Sequence, residues 1–319
     1  MGNQISRKRH DGKSSNGSVA TGRSTLADDG LATSSTYSQP KFRLEYCYPN
    51  TPIETNRQHN QHYMLKHVFQ QSYFAPVDTM LAQPDAHVLD LGCGSSAVWT
   101  IDMASDFPRA TFYGLDIIDV SESQKNIHVP SNCRFETGDI LEGIGHGNET
   151  VDYVHQRMMY NAYHDDDIGW VMQEIMRVLK PGGWVDLVEV DIVPKRAGPL
   201  FAQLCDGFYQ ILRKRHKRIY HGPRLRRSLN DAGYIDVQCD YASIPVCWGG
   251  YLGKMVYEDL LVLSQHIGPL VYNYLDMEGD FRQAHYDAFI DKAFNECVEY
   301  QTFFNIHWAS GKKPLEPAT

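Results

Sequence analysis

No two cysteines in this chain form a Cys-x-x-Cys pair, and the seven present (Cys47, Cys93, Cys133, Cys205, Cys239, Cys247, Cys297) are scattered and odd in number. Neither a zinc site nor a disulfide framework is signalled, so no metal is expected and a reducing, intracellular compartment fits best. No apolar run is long enough to span a bilayer, and no secretory signal peptide is read at the start. The expected location is the cytoplasm or the nucleus. Positive charge is also short, with 30 Lys and Arg against 39 Asp and Glu, a formal charge of −9. Affinity for nucleic acid comes from neutralising phosphates, so no nucleic-acid partner is expected. The first forty residues lack Phe and Trp and hold eight Ser and five Gly. Such a segment cannot bury enough apolar surface to offset chain entropy, so residues 1–45 are expected to be a disordered tail. The tail has one motif. Met1-Gly2-Asn3-Gln4-Ile5-Ser6 matches the N-myristoylation pattern with Gly2 as acceptor, and Arg7-Lys8-Arg9-His10 follows. An acyl chain plus a basic cluster can hold a membrane surface, which would give peripheral contact through the N-terminus. A chance match on a solvated or nuclear-targeted tail is the alternative.

The remainder is rich enough for a core, at 42% hydrophobic residues over the whole chain. It is organised around Val88-Leu89-Asp90-Leu91-Gly92-Cys93-Gly94-Ser95-Ser96. This reads as a buried parallel strand, a tight turn and a helix start, the first unit of a doubly wound α/β domain. Gly92 and Gly94 let the backbone turn and leave room for a ligand, and Ser95 or Ser96 can cap the helix. A carboxylate at the mouth of the strand discriminates between cofactors. Asp90 would repel a dinucleotide pyrophosphate by roughly 4 kcal/mol at ~4 Å. It would attract the ammonium and sulfonium of S-adenosyl-L-methionine. Asp116 ends a second strand, where an acidic residue accepts from ribose hydroxyls. Asp139 lies past the end of a third strand, placed to accept from an adenine amino group with Ile140 against the ring. An NAD-dependent reductase is opposed by Asp90.

Thr51-Pro52-Ile53-Glu54 reads as a helix start with a capping box. Its helix carries Arg57, His59, Gln61, His62 and His67, and on spacing alone it is a surface helix. Val151–His155 is a fourth strand running into Gln156-Arg157-Met158-Met159-Tyr160, the expected floor of the active site. Apolar residues recur at helical spacing from Asp165 to Leu179, and Lys180-Pro181-Gly182-Gly183 is expected to stop that helix before a fifth strand, Trp184–Glu189. A helix from Leu200 ends in the basic run Arg213–Arg218, which suits a helix C-terminus. A sixth strand is expected at Tyr234–Cys239. Two more helical stripes precede a last strand at Tyr300–Trp308, expected to return beside the sixth.

The order of signals resembles a class I S-adenosylmethionine-dependent methyltransferase. Tyr48-Pro49-Asn50, Glu54-x-x-Arg57 with Gln61-His62, Val151–Met158 and Val178–Trp184 resemble the LaeA-like fungal methyltransferases. The resemblance implies an α/β, doubly wound, mostly parallel seven-stranded sheet with helices on both faces and added N- and C-terminal helices. The implied organisation is the tail, an N-terminal helical segment over residues 46–85, and a methyltransferase domain over 86–319 with a helical cover at about 249–298. The cofactor residues implied are Asp90, Gly92, Cys93, Gly94, Asp116, Ile117, Asp139, Ile140 and His155. Arg57 and His62 would close over the cofactor's amino-acid end. Ser95-Ser96 stands where many relatives carry Thr-Gly. The expected function is methyl transfer to a small-molecule or protein acceptor, with His155, Tyr160 and His164 as candidate bases. The alternative is a cofactor-binding regulatory protein of the secondary-metabolism type with little turnover.

Overall fold

The computed structural model of the protein describes residues 49–120, 124, 125, 127–164, 166–215, 222–275, 277 and 279–315. The expectations for the tail, for Gly2 and for the 216–218 end of the basic run lie outside the described residues. Among the described residues the first elements are α1 (Pro52–Phe69) and a short α2 (Asp78–Leu81), followed by β1 (His87–Leu91), α3 (Val98–Asp106), β2 (Thr111–Asp116), β3 (Cys133–Thr137) and β4 (Val151–Arg157). It continues through α4 (Asp167–Val178), β5 (Leu179–Lys195), α5 (Pro199–Lys214), α6 (Leu225–Asp231), β6 (Ile235–Pro245), α7 (Tyr251–Val271), α8 (Gln283–Glu299) and β7 (Phe303–Lys312).

The seven strands form one sheet in the order β3-β2-β1-β4-β5-β7-β6. Strands β1 to β5 run parallel, and β7 runs antiparallel to both of its neighbours. The last strand therefore lies beside the sixth, as expected, and also beside the fifth. A parallel strand must be apolar on both faces. In β1, Val88 turns to the α3 side, while Leu89 and Leu91 turn to the α4 side, and all three are fully buried. The strand order reverses between β1 and β4, so their carboxyl ends open a crevice for a ligand. A third core lies beneath α5, α7 and α8.

Several boundaries move from their expected places, each for a tertiary reason. Lys180–Gly183 lies within β5 instead of stopping before it, because Gly182 N donates to Lys313 O at 3.0 Å and Lys313 N to Gly183 O at 2.8 Å. β6 and β7 likewise extend past their apolar stretches along each other. Neither Ser95 nor Ser96 occupies the cap position, although Ser96 Oγ accepts from Val98 N at 3.4 Å. α3 follows Ala97, which has φ 43° and no side-chain cap bond, while the Ser95 hydroxyl is hydrogen-bonded to that of Thr55 at 2.8 Å. The α1 cap is half as expected: Glu54 N donates to Thr51 Oγ1 at 3.3 Å, but the Glu54 carboxylate accepts from Arg57. α1 is not a surface helix. Glu54, Arg57 and His62 are buried against α7 and α3, where the polar groups of Arg57 and His62 find partners.

Candidate active site

The turn after β1 is fastened to the end of β2. Gly92 N and Cys93 N both donate to Leu115 O, at 2.8 and 3.2 Å, and Gly94 N donates to Asp116 Oδ2 at 2.8 Å. Gly92 and Gly94 have φ +72° and +71°, the left-handed region where a side chain is strained. A Cβ on Gly92 would lie 2.4 Å from Met159 Sδ, and one on Gly94 would lie 2.5 Å from Gln58 Oε1. Burial raises the pKa of the Asp116 carboxyl, and backbone donors including the N–H groups of Ile118 and Gly94 partly offset the rise. Ile117 is exposed beside it. Asp139 follows β3. Its Oδ1 accepts from Leu141 N at 2.9 Å, while its buried Oδ2 has no hydrogen-bond partner among the described residues. Ile140 is buried next to it. A turn with two backbone glycines, a ribose-type carboxylate, an apolar step and an unsatisfied acceptor fits an adenosine-bearing cofactor. Cys93 contributes packing: its thiol pKa is pushed up by burial and by Asp116 and Asp90.

Asp90 carries the negative charge expected at this turn, but it is buried and held from two sides. Thr100 Oγ1 donates to Oδ2 at 2.7 Å, and His155 Nδ1 lies 2.9 Å from Oδ1. His155 is itself buried and stacked on Trp99, with ring centroids 3.7 Å apart and planes 4° apart. Burial lowers the His155 pKa despite the bond to Asp90. The neutral ring then donates Nδ1–H to the carboxylate, which makes His155 a positioning group for Asp90 more than a base.

The N-terminal part of α1 lies over the turn. Gln58 Oε1 accepts from Ser95 Oγ and Ser96 N, both at 3.3 Å. Gln58 and Thr55 were not expected in the site. The available signal was a polar seam at helical spacing, Glu54, Arg57, Gln58, Gln61 and His62, which a water-facing helix does not require. Arg57, expected over the cofactor's amino-acid end, is instead tied toward α7. Its Nε and Nη2 donate to Glu54 at 2.8 and 2.6 Å, and Nη1 donates to Asp259 at 2.8 Å. Burial alone would lower its pKa, but Asp259 and Glu54 hold it above its ordinary value. His62 is pushed down to about 4, chiefly by burial, with Arg157 adding to it. As a neutral ring it donates Nε2–H to Asp102 at 3.0 Å and accepts from Arg157 Nη1 at 3.3 Å. His62, His155 and Arg157 line one small cavity beneath α1.

The strip after β4 has the turn on one side and a large chamber on the other. Met158 has φ +57°, Met159 packs on Gly92, and both Met158 and Tyr160 line the chamber. Glu189 of β5, which the sequence did not single out, fastens this strip: Met159 N donates to its Oε1 at 2.6 Å. Of the three candidate bases, only Tyr160 faces the chamber. His164 stands at the start of α4, its backbone N donating to Asp167 Oδ2 at 2.8 Å.

Burial lifts the Glu189 carboxyl from 4.5 to about 8, despite the backbone donors of Met159 and Tyr160. The folded state therefore holds this proton more tightly than the unfolded state. Its stabilising effect is complete below about 4.5 and is lost as pH rises toward about 8. Glu189→Gln keeps the shape without the titration. We expect the variant to overtake the parent by about 2–4 kcal/mol in urea unfolding at pH 8.5 and to match it at pH 5. Parallel pH profiles would refute the assignment.

Comparison with known proteins agrees with this geometry. Residues 88–183 match a family model described as a methyltransferase domain. The secondary metabolism regulator laeA of Aspergillus flavus is 29% identical over 167 residues, covering 50% of this chain and 43% of that protein. The N-methyltransferase verN of Clonostachys rogersoniana is 30% identical over 156 residues, covering 48% of this chain and 53% of that protein. The chain thus spans about half the length of the curated relatives it matches. Among solved structures, phosphoethanolamine N-methyltransferase 2 of Haemonchus contortus, in complex with S-adenosyl-L-methionine, superposes with TM-score 0.52 at 17% identity, covering 86% of this chain and 59% of that one. Residues 88–183 thus match a methyltransferase domain, and about half of the chain is similar to LaeA-type proteins, as the motifs implied.

Proposed function

We propose that this chain, built on a methyltransferase domain over residues 88–183, uses S-adenosyl-L-methionine to methylate an acceptor bound beside the β4 strip. The observation that carries the reading is the row formed by Asp90, the Gly92–Gly94 turn, Asp116 and the unsatisfied Asp139 oxygen along the carboxyl ends of β1, β2 and β3, beside the β1/β4 reversal. Asp116 would take the ribose hydroxyls, Asp139 the adenine amino group, and Ile117 and Ile140 the ring faces. The backbone at Gly92 and Gly94 would allow close approach of the amino-acid end. When bound, the cofactor supplies an electrophilic methyl group whose departing electron pair stays on sulfur. The protein's own part is alignment, an effect that can be worth ~7–11 kcal/mol. Asp90 stabilises positive charge at the turn, Thr100 and His155 hold Asp90 in place, and Glu189 keeps the strip from drifting.

Asp90→Asn tests the charge without emptying the site. Unit charges ~4–8 Å apart interact by about 2–4 kcal/mol at an effective dielectric of ~20. We expect the cofactor Kd, by calorimetry, to rise by ~10²-fold, with S-adenosylhomocysteine formation falling in step. An unchanged Kd would sink the charge argument. A second reading, a cofactor-binding regulator, is suggested by relatives named as regulators of secondary metabolism. It predicts cofactor binding in the parent chain without S-adenosylhomocysteine accumulating when cellular extract is added.

A further inference from the structure

Beside residues 158–160 lies a half-open chamber of about 120 Å³, with Phe201, Leu204, Leu260, Ile267, Phe304 and Ile306 among its walls. We propose that this chamber receives the methyl acceptor and admits an uncharged, ring-sized apolar group of it; the proposal rests on the methyltransferase reading above. Size is the first argument. An engineered cavity of ~150 Å³ with similar walls stays dry and takes benzene. Chemistry is the second. Polar groups on the wall are few, and the one carboxylate, Asp259, is already engaged by Arg57 at 2.8 Å and contacted by Gln61 at 3.3 and 3.4 Å. A second charge brought into such a wall would lose its hydration without an ionic partner. A peptide segment would bring backbone N–H and C=O groups that the apolar wall cannot satisfy. Position is the third. Met159 lies against Gly92, while its neighbours Met158 and Tyr160 line the chamber, so a group held there is one strip of chain away from the cofactor turn.

The test uses the full chain and three molecules of one size: toluene, benzoate and benzylamine. Binding is read by saturation-transfer NMR, and S-adenosyl-L-methionine binding by calorimetry on the same samples. Leu204→Trp and Leu260→Trp each fill the chamber from a different helix, and circular dichroism selects the variant that folds. The expected result is toluene binding at least ~10-fold tighter than either charged analogue. In a folded tryptophan variant the toluene signal is lost, while the cofactor Kd stays within ~2-fold of the parent. With the cofactor bound in the parent, a toluene signal that survives in the folded variants, or benzoate binding as tightly as toluene, overturns the chamber assignment alone. Absence of cofactor binding in the parent overturns the methyltransferase reading and the acceptor role together.

Discussion

Gly92→Val is expected to remove cofactor binding almost entirely, raising the Kd by ~10³-fold or beyond detection. Two independent costs act at the turn. The backbone at Gly92 has φ +72°, where an L-residue costs about 1–2 kcal/mol. The new Cβ would meet Met159 Sδ at 2.4 Å, so the thioether must swing aside while the Met159 backbone, fastened to Glu189, stays in place. Overpacking of this kind costs about 1–3 kcal/mol. The sum, ~2–5 kcal/mol, would be relieved by opening the turn, on which the proposed cofactor would rest, and it corresponds to roughly 30- to 5,000-fold in affinity. Calorimetry with S-adenosyl-L-methionine, beside a thermal melt showing a folded chain, checks it. A Kd within tenfold of the parent in a folded variant would mean that the ligand does not approach this glycine.

The largest expected effect on stability is at Arg57. Its guanidinium binds Glu54 through two bonds and Asp259 through a third, and both carboxylates are buried. Arg57→Ala would leave two like charges confined without a cation between them, on helices distant in sequence. Breaking a buried pair by removing one partner typically costs 3–5 kcal/mol. For a domain of this size that is a fall in Tm of about 6–20 °C. Arg57→Lys should recover part of the loss, because an ammonium carries the charge but cannot fork to both partners. Circular dichroism melts of the three proteins suffice. A fall of less than ~2 °C for the alanine variant would show that the cluster is not closed to water. The same substitution should affect cofactor affinity only indirectly, through α1, since Gln58 and Thr55 are the residues that touch the turn.

The β1 turn was legible in sequence because its chemistry is local. A strand that must be apolar on both faces, a carboxylate at its tip and two glycines in left-handed backbone all lie within nine residues, and the ends of β2 and β3 follow from the same pattern. The helix of residues 167–178 was legible for a similar reason, its apolar stripe recurring at helical spacing. α1 was misread as a surface helix because burial of its polar seam depends on Asp259, about two hundred residues away. Glu189 carried no signal, since a carboxylate in a strand becomes informative only when the strip it fastens is known. The chamber was equally hidden. Its walls come from α1, β5, α5, β6, α7, α8 and β7, and each apolar wall residue alone reads as ordinary core.

By itself, then, the order of residues determined the fold class and the glycine turn that follows β1, because those rest on backbone geometry and apolar pattern within short segments. Tertiary structure alone decided how α1 closes over the turn, what holds Asp90 and Met159 in place, and what shape the chamber leaves for an acceptor. Those features are sums of contacts between distant segments, and no short stretch of chain encodes a cavity.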